Sequence, residues 1–189
     1  MANAANVTAA KPKISGAVQV APVGTTLPTT TEAELNPAFK ALGYVSEDGL
    51  SNNNSRTNEA IKAWGGETVL NSQTEFTDNF KFTLLEIMNP EVLRTVYGKE
   101  NVSEESDELT LKVNAAQPNS NAFVFDMILK GGAKKRIVVP SASMTALEEI
   151  VYKDNGAVGY GITIGAVPDT AGNTHYEYIK KGAGAGGGT

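Results

Sequence analysis

The residue types that carry most enzyme chemistry are few and scattered in this chain. The single histidine, His175, lies near the C-terminus, and any Ser–His–Asp arrangement would have to use it. Cysteine is absent, which excludes disulfides and thiolate metal sites. Glu148 and Glu149 are adjacent, so on a strand they point to opposite faces and cannot share a substrate. This pattern favours a protein that is not an enzyme and needs no cofactor.

The strongest run of charge is acidic and spans residues 99–108, KENVSEESDE. Calcium-binding loops need a glycine at their sharp turn, and this run has none. We therefore interpret it as a solvated loop and expect no metal site. The net charge of the chain is −5, and its densest basic cluster is only Lys134–Arg136. Specific binding to nucleic acid is therefore not expected, although an acidic protein can lie beside DNA without holding it.

The segment 76–98 predicts a strand followed by the one clear helix. Phe76, Phe80, Phe82 and Leu84 recur with a period of two, which places them on one face of a strand. The motif Asn89-Pro90 is typical of a helix N-terminus, and Gly98 of a helix end. The segment predicts one short helix in a strand-rich chain.

The remaining strand signals recur every 8 to 12 residues. A glycine pair, Gly65-Gly66, predicts a hairpin between the strands 57–64 and 67–74. A separate strand is predicted to start at Lys134 and to end at Pro140. The segment 143–153 contains both a capping box, Thr145 with Glu148, and β-formers, so helix and strand stay open, with strand favoured. Other ranges with strand character are 17–23, 39–45, 109–113, 121–130, 157–167 and 175–179. About ten strands predict a β-sandwich or barrel with one short flanking α-helix.

The chain is expected to contain one folded domain between two flexible ends. Residues 1–16 are small and polar and predict a flexible N-terminal arm, while 17–180 form the β-sandwich and 181–189 a flexible Gly-rich tail. The polar segment 46–58 is expected to be a long loop. Neither a secretory signal nor an 18-residue apolar stretch is present in the sequence.

The order of these features resembles the major tail tube protein of long-tailed, non-contractile (siphovirus-type) bacteriophages. The resemblance covers roughly residues 17–180 and rests on order and spacing. It is carried by VQVAPVGTTLP (18–28), FKALGYVSEDGLS (39–51), NEAIKAWGGETV (58–69), FTLLEIMNPEVLRTVYG (82–98) and VGYGITIGAVPDTAGNTHYEYI (158–179).

The resemblance implies a structural virion protein whose fold assembles into a ring. In this family, hexameric rings stack into the tail tube, and strands from all subunits form the barrel through which genomic DNA passes without specific binding. Its partners are further copies of itself and the tape-measure, tail-tip or baseplate, and tail terminator proteins. Assembly takes place in the host cytoplasm, without membrane insertion. Contractile-tail tubes and the type VI secretion tube share the fold.

On this basis we predict two sets of assembly residues. The 57–74 hairpin is expected to line the lumen with Glu59, Lys62 and Glu67. The arm and the 46–56 segment are expected to contact neighbouring subunits or rings. These contact residues are Lys11, Lys13, Glu47, Asp48, Asn52, Asn53, Asn54 and Arg56.

An all-β surface binding module, such as an adhesin or a carbohydrate-binding domain, is the alternative interpretation. Such modules expose clustered aromatic residues, whereas most aromatics here fall on predicted core faces and only Trp64 lies at a turn. A small β-barrel enzyme is a third possibility, but the chain lacks the polar constellation that it would need.

Overall fold

The computed structural model describes residue 2, residues 4–13 and residues 16–182, and most of the predicted 181–189 tail lies outside this range. The described residues form eleven strands, one α-helix and three short 3-10 helices. The helices are α1 (Pro90–Tyr97) and the 3-10 turns Ala4–Asn6, Lys99–Asn101 and Lys130–Gly132. The strands are β1 (Ala10–Pro12), β2 (Val18–Pro22), β3 (Lys40–Ala41), β4 (Ser51–Lys62), β5 (Thr68–Leu84), β6 (Val102–Glu105), β7 (Glu108–Leu111), β8 (Asn121–Leu129), β9 (Lys134–Leu147), β10 (Tyr160–Ala166) and β11 (Tyr176–Lys180).

Nine strands form one antiparallel sheet that curls into two layers. Its order is β3-β2-β8-β9-β10-β5-β4, with β1 also paired to β8 and β11 to β9. Phe80 of β5 stacks on Phe125 of β8 with 5.6 Å between ring centroids. In a flat sheet these strands would lie roughly 14 Å apart, so the sheet must fold over itself. The first layer contains β1, β2, β3, β8, β11 and the start of β9, and the second contains β4, β5, β10 and the end of β9. The predicted β-sandwich with one short helix is confirmed.

The main core fills the space between the two layers. Val92, Leu93 and Val96 of α1 pack against it, as their helical spacing requires. A smaller cluster on the outer face of the first layer includes Val124 and Val138, covered by Phe39. The buried residues of the main core are Val18, Val20, Leu42, Phe80, Phe82, Leu84, Val92, Leu93, Val96, Val102, Phe123, Phe125, Ile137, Val139, Ala142, Tyr160, Ile162 and Ile164.

The local signals for α1 act as the sequence predicts. Asn89 has an extended backbone and its Oδ1 accepts a hydrogen bond from the Glu91 amide at 3.0 Å. Pro90 occupies the first turn, where its missing N–H costs nothing. Gly98 ends the helix with a φ of 93°, a conformation that favours glycine. Helix α1 is therefore specified almost entirely by its own sequence.

Strand β9 corrects the prediction that Pro140 ends a strand. It continues through Pro140 to Leu147. Pro140 lies between the residues of β9 that pair with β11, up to Val138, and those that pair with β10, from Ala142 onward. On the β8 side the register shifts at the same point, so an irregular position accommodates the proline. The strand thereby passes from the first layer into the second.

The prediction of a loop over 46–58 is wrong from Ser51 onward. Residues 51–58 belong to β4, which pairs along its whole length with β5. The segments predicted as two strands, 67–74 and 76–84, form the single strand β5. Asparagine and serine have low β-propensity, but pairing with a long neighbouring strand overrides it.

Three shorter segments also differ from their predictions. The acidic run is not a loop, because residues 102–111 form the β6–β7 hairpin, with Ser106 at a φ of 56° in its turn. In the 143–153 segment the strand ends at Leu147, so 150–152 lie outside it. Of 39–45, only Lys40–Ala41 form a strand, and Val45 makes an isolated bridge to Leu84.

A buried ion pair ties the first layer to the chain that covers it. Asp126 of β8 and Arg136 of β9 are cross-strand neighbours, and both are buried. Arg136 donates from Nε to Oδ1 at 2.6 Å and from Nη2 to Oδ2 at 2.9 Å. Its Nη1 donates to the carbonyls of Thr30 and Ala33 at 2.9 and 2.7 Å. One guanidinium therefore anchors both the sheet and the loop that covers the smaller cluster.

Replacing Asp126 by alanine should destabilise the protein strongly, because Arg136 would stay buried without its bidentate counter-charge. We expect a loss of roughly 3–5 kcal/mol in the free energy of unfolding, measured by urea denaturation. Glu32→Ala is the control, because Glu32 pairs with Lys134 and Lys180 on the exposed surface and such pairs contribute little. Equal losses in the two variants would contradict the role assigned to the buried pair.

Candidate assembly surfaces

Strands β4 and β5 extend well beyond the sheet as a two-stranded ribbon. Strand β10 pairs with β5 only from Asn79 to Leu84. Among the described residues, β5 from Thr68 to Asp78 pairs only with β4. We call residues 54–78 the ribbon, which is about 35 Å long at 3.3 Å per residue. An isolated two-stranded hairpin is marginally stable in water, so the ribbon is suited to contacts with other molecules.

A buried carboxylate fixes the base of the ribbon. Asp78 accepts hydrogen bonds from Asn52 Nδ2 at 2.8 Å and Thr174 Oγ1 at 2.6 Å, and His175 Nδ1 lies 2.5 Å from its Oδ2. Burial acts to raise the pKa of Asp78, but the three hydrogen bonds outweigh it and hold the pKa below its ordinary value. His175 also packs edge-on against Phe80. The lone histidine thus helps to position the ribbon.

The outer face of the second layer is open and lined by small polar side chains. In β10, Tyr160, Ile162 and Ile164 point into the core, so Gly161, Thr163 and Gly165 point outward. The register continues this face across β5 and β4. Lys81 and Glu148 form an ion pair on it. We call this the open face, and its members on β4 and β5 are Ser51, Asn53, Ser55, Thr57, Glu59, Ile61, Leu70, Ser72, Glu75, Thr77, Asn79, Lys81 and Thr83.

The second layer also has two free edges. The outer edge of β4 has no strand beside it in the part of the chain that the structure describes. Residues 143–147 of β9 pair with β10 on one side, whereas pairing with β8 on the other side stops at Ala142. Each edge presents a row of backbone N–H and C=O groups, which is a template for pairing with another strand.

The residues predicted to contact neighbouring subunits occupy two separate places. Lys11, Glu47 and Asp48 line one cavity of about 370 Å³, and Lys13 lines the adjoining one. The remaining predicted contact residues, Asn52, Asn53, Asn54 and Arg56, lie on β4. Asn52 donates a hydrogen bond to Asp78, and Asn53 is on the open face. Arg56 lies on the opposite face, donates to Asn54 Oδ1 at 2.7 Å and stacks over the Phe76 ring, 4.7 Å from its centroid.

The predicted lumen residues all lie at the exposed, distal half of the hairpin, but they do not share a face. Glu59 is on the open face, and Lys62, an odd number of residues further along β4, is on the other. Glu67 is at the turn, where its carbonyl accepts from the Ala63 amide at 2.7 Å. Sequence reasoning missed Asp78 altogether, because only the folded chain brings its three partners together.

Two further properties of the described residues bear on the site. No group of three or more His, Asp or Glu side chains in this part of the chain is placed to hold a metal ion. None of its helices is long and apolar enough to cross a membrane.

Comparison with known proteins gives one family match. A family model described as phage tail tube protein matches residues 2–186. No curated protein matches the chain. A solved structure to which the chain is similar is the cryo-EM structure of the anti-feeding prophage cap (AFP tube terminating cap), with 11% identity and a TM-score of 0.43, covering 94% of this chain and 98% of that one.

The lowered pKa of Asp78 predicts how stability depends on pH. Its folded-state pKa lies below the ordinary 3.8, so the ionised carboxylate stabilises the native state above about pH 4, and this stabilisation is lost as the pH falls through the folded-state pKa. Urea denaturation between pH 3 and 7 should show a smaller loss at low pH for Asp78→Asn than for the wild type. Asp107→Asn, at the exposed β6–β7 turn, should behave as the wild type does. The same pH dependence in all three proteins would contradict this assignment.

Proposed function

Because this chain belongs to the phage tail tube protein family, we propose that it assembles into hexameric rings that stack into a tube for genome delivery. As a member of this family it is a structural protein of the phage tail. The observation that carries the proposal is the second layer, which has a free strand edge on each side. The backbone N–H and C=O groups of these edges lack strand partners in a single copy, and they gain partners when copies join edge to edge.

The strand directions allow these edges to close a ring. The sheet is antiparallel throughout, so the last part of β9 runs opposite to β10, parallel to β5 and opposite to β4. When a second copy is related by rotation about an axis along the strands, its β9 edge meets β4 in antiparallel orientation. Repeating this head-to-tail contact gives a closed ring in which residues 143–147 of each copy pair with β4 of the next.

In this arrangement the polar part of the open face, residues 51–59 of β4 and 72–83 of β5, lines the channel. Its hydroxyl, amide and glycine surfaces offer DNA few positive charges, and Glu59 and Glu75 add negative ones. Like charge discourages DNA from adhering as it passes. The loop over the smaller cluster, on the outer side of the first layer, then faces the outside of the tube.

The partners and the location that we propose for this protein are those of the family. The partners are further copies of the chain and the tape-measure, tail-tip or baseplate, and terminator proteins of a non-contractile tail. The protein acts in the virion tail after assembly in the host cytoplasm. Its role is structural, so no residue is assigned to catalysis.

Shortening the ribbon should separate folding from assembly. Replacing residues 60–71 by Asn-Gly leaves the Glu59–Ser72 pair to flank a two-residue turn. We expect a folded monomer by circular dichroism that forms no tubes in negative-stain electron microscopy, whereas the wild type forms hollow rods of uniform width at high concentration. The control places Asn-Gly at Ser106-Asp107, another hairpin turn, and should form tubes. Normal tubes from the shortened protein would contradict the proposed role of the ribbon.

Thiol labels can test whether the open face lines the channel, because the chain has no cysteine of its own that would react. Ser55→Cys places one thiol on the open face, and Thr26→Cys places one on the loop outside the first layer. In assembled tubes, a large polymer-linked maleimide should label Cys at position 26 readily and at position 55 only slowly, since the lumen is reached through the tube ends. In monomers both should react. Equal labelling of the two variants in tubes would contradict the assignment of the open face.

A further inference from the structure

The end of the ribbon is apolar, whereas the rest of it contains a single large apolar residue, Phe76. Ile61 lies directly opposite Leu70, Val69 occupies a bulge beside them, and Trp64 is at the turn. All four side chains are exposed, and Trp64 is fully so. By contrast, 51–60 and 71–75 contain no large apolar residue. We call these four residues the tip. Four adjoining exposed apolar groups indicate an interaction site, and tryptophan is among the residues that most often dominate binding energy.

The turn holds Trp64 in a defined position. The Gly66 amide donates to the Ala63 carbonyl at 3.0 Å, and the Ala63 amide donates to the Glu67 carbonyl at 2.7 Å. Gly65 and Gly66 have φ values of 122° and 93°, which a side chain would strain. The indole is therefore presented by a backbone that the closed hairpin end holds in one conformation.

No other part of the described chain covers the tip. Beyond its base at Asp78, the described strands that pair along the ribbon are only its own two, and the tip lies about 35 Å beyond the last β10 pair. Its partner must be a second molecule, and in the proposed tube the neighbours of each copy are further copies of this chain.

A cleft at the other end of β5 has the complementary chemistry. It lies between β1 and the segment 45–50, and has a volume of about 370 Å³. Pro12, Leu50, Phe82 and Met127 provide apolar walls, while Glu47 and Asp48 lie at the rim. A buried indole usually satisfies its N–H with an acceptor, and a rim carboxylate supplies one.

The tip and the cleft are related in a way that produces stacking. Trp64 of the tip precedes the start of β5 at Thr68 and the cleft lies beside Phe82, so roughly 45 Å of the same strand separates them. One copy cannot bring them together, but translation along the strand direction brings the tip of one copy to the cleft of the next. A contact between two different surfaces related by translation does not close, and it extends without limit.

We infer that Trp64 and its apolar neighbours dock into the cleft between β1 and residues 45–50 of a second copy in the adjacent ring. This inference rests on the proposed function. It assigns ring closure to the sheet edges and ring stacking to the contact between tip and cleft. Glu47 and Asp48 thereby acquire a defined partner, the indole of the next ring.

Trp64 is the only tryptophan, so its fluorescence reports this contact in the unmodified chain. On assembly, the emission of the wild type should shift to shorter wavelength and become protected from acrylamide quenching. Tubes in which Trp64 is quenched as readily as in the monomer would overturn the inference and leave the proposed function intact. Failure of the wild type to assemble at any concentration would overturn the proposed function, and the inference with it.

Substitutions at the tip separate stacking from folding. Trp64→Ala should raise the concentration needed for tube growth roughly tenfold or more, as expected on losing a binding hot spot, while the monomer's unfolding curve stays unchanged. Trp64→Phe keeps an aromatic ring without the N–H and should have a smaller effect. Tubes that grow from Trp64→Ala at the wild-type concentration would overturn the inference.

A disulfide can identify the receiving cleft. Ala63→Cys, which keeps Trp64, combined with Glu47→Cys should give a ladder of covalent multimers on oxidation of assembled protein, because these positions are too far apart to join within one copy. Ala63→Cys with Lys153→Cys, an exposed position outside the cleft, is the matched control. A ladder in the control and none in the test pair would overturn the assignment of the cleft.

Discussion

Aromatic packing between β5 and β8 makes this sheet a sandwich. Phe125 stacks against Phe80 and meets Phe82 edge-on, at centroid distances of 5.6 and 5.4 Å. In the sheet order β9 and β10 lie between β8 and β5, yet these contacts require β8 and β5 to face each other. The sheet can satisfy them only by curling, which obliges β9 to pass from one layer to the other at Pro140. The outer face of the first layer is then covered by a loop, and that of the second is left open.

The two layers differ in how complete they are. In the first, Arg136 holds the covering loop through two carbonyls and the sheet through Asp126, so the buried charge of this layer is compensated within the chain. In the second, strand edges and the ribbon present backbone groups and side chains outward. One layer thus makes a stable body, and in the proposed ring the other supplies the surface for contacts between subunits. The cluster around Asp78 lies where the ribbon leaves the body, and it fixes the direction of the ribbon.

Predictions from sequence succeed where the deciding interactions are local. Asn89, Pro90 and Gly98 specify α1, and Gly65-Gly66 specify the hairpin turn, because caps and turns depend on neighbouring residues. They fail where a distant partner decides. Pro140 is tolerated within β9 because its neighbouring strands change there, and Asp78 is buried because Thr174 and His175 reach it. Alternation along a strand is also local, and it places Glu59 and Lys62, which were both predicted to line the lumen, on opposite faces of β4.

The asparagine and serine content of β4 has a kinetic consequence. A free edge of valine or isoleucine would pair readily with any strand it met, and aggregation would compete with folding. Asparagine and serine gain little from pairing, so a single encounter at this edge is weak and short-lived. In the proposed tube, growth by this edge needs many pairs to form at once, which creates a nucleation barrier and keeps newly made subunits soluble until their concentration is high or a template is present. The same polar composition explains why the sequence of β4 reads as a loop.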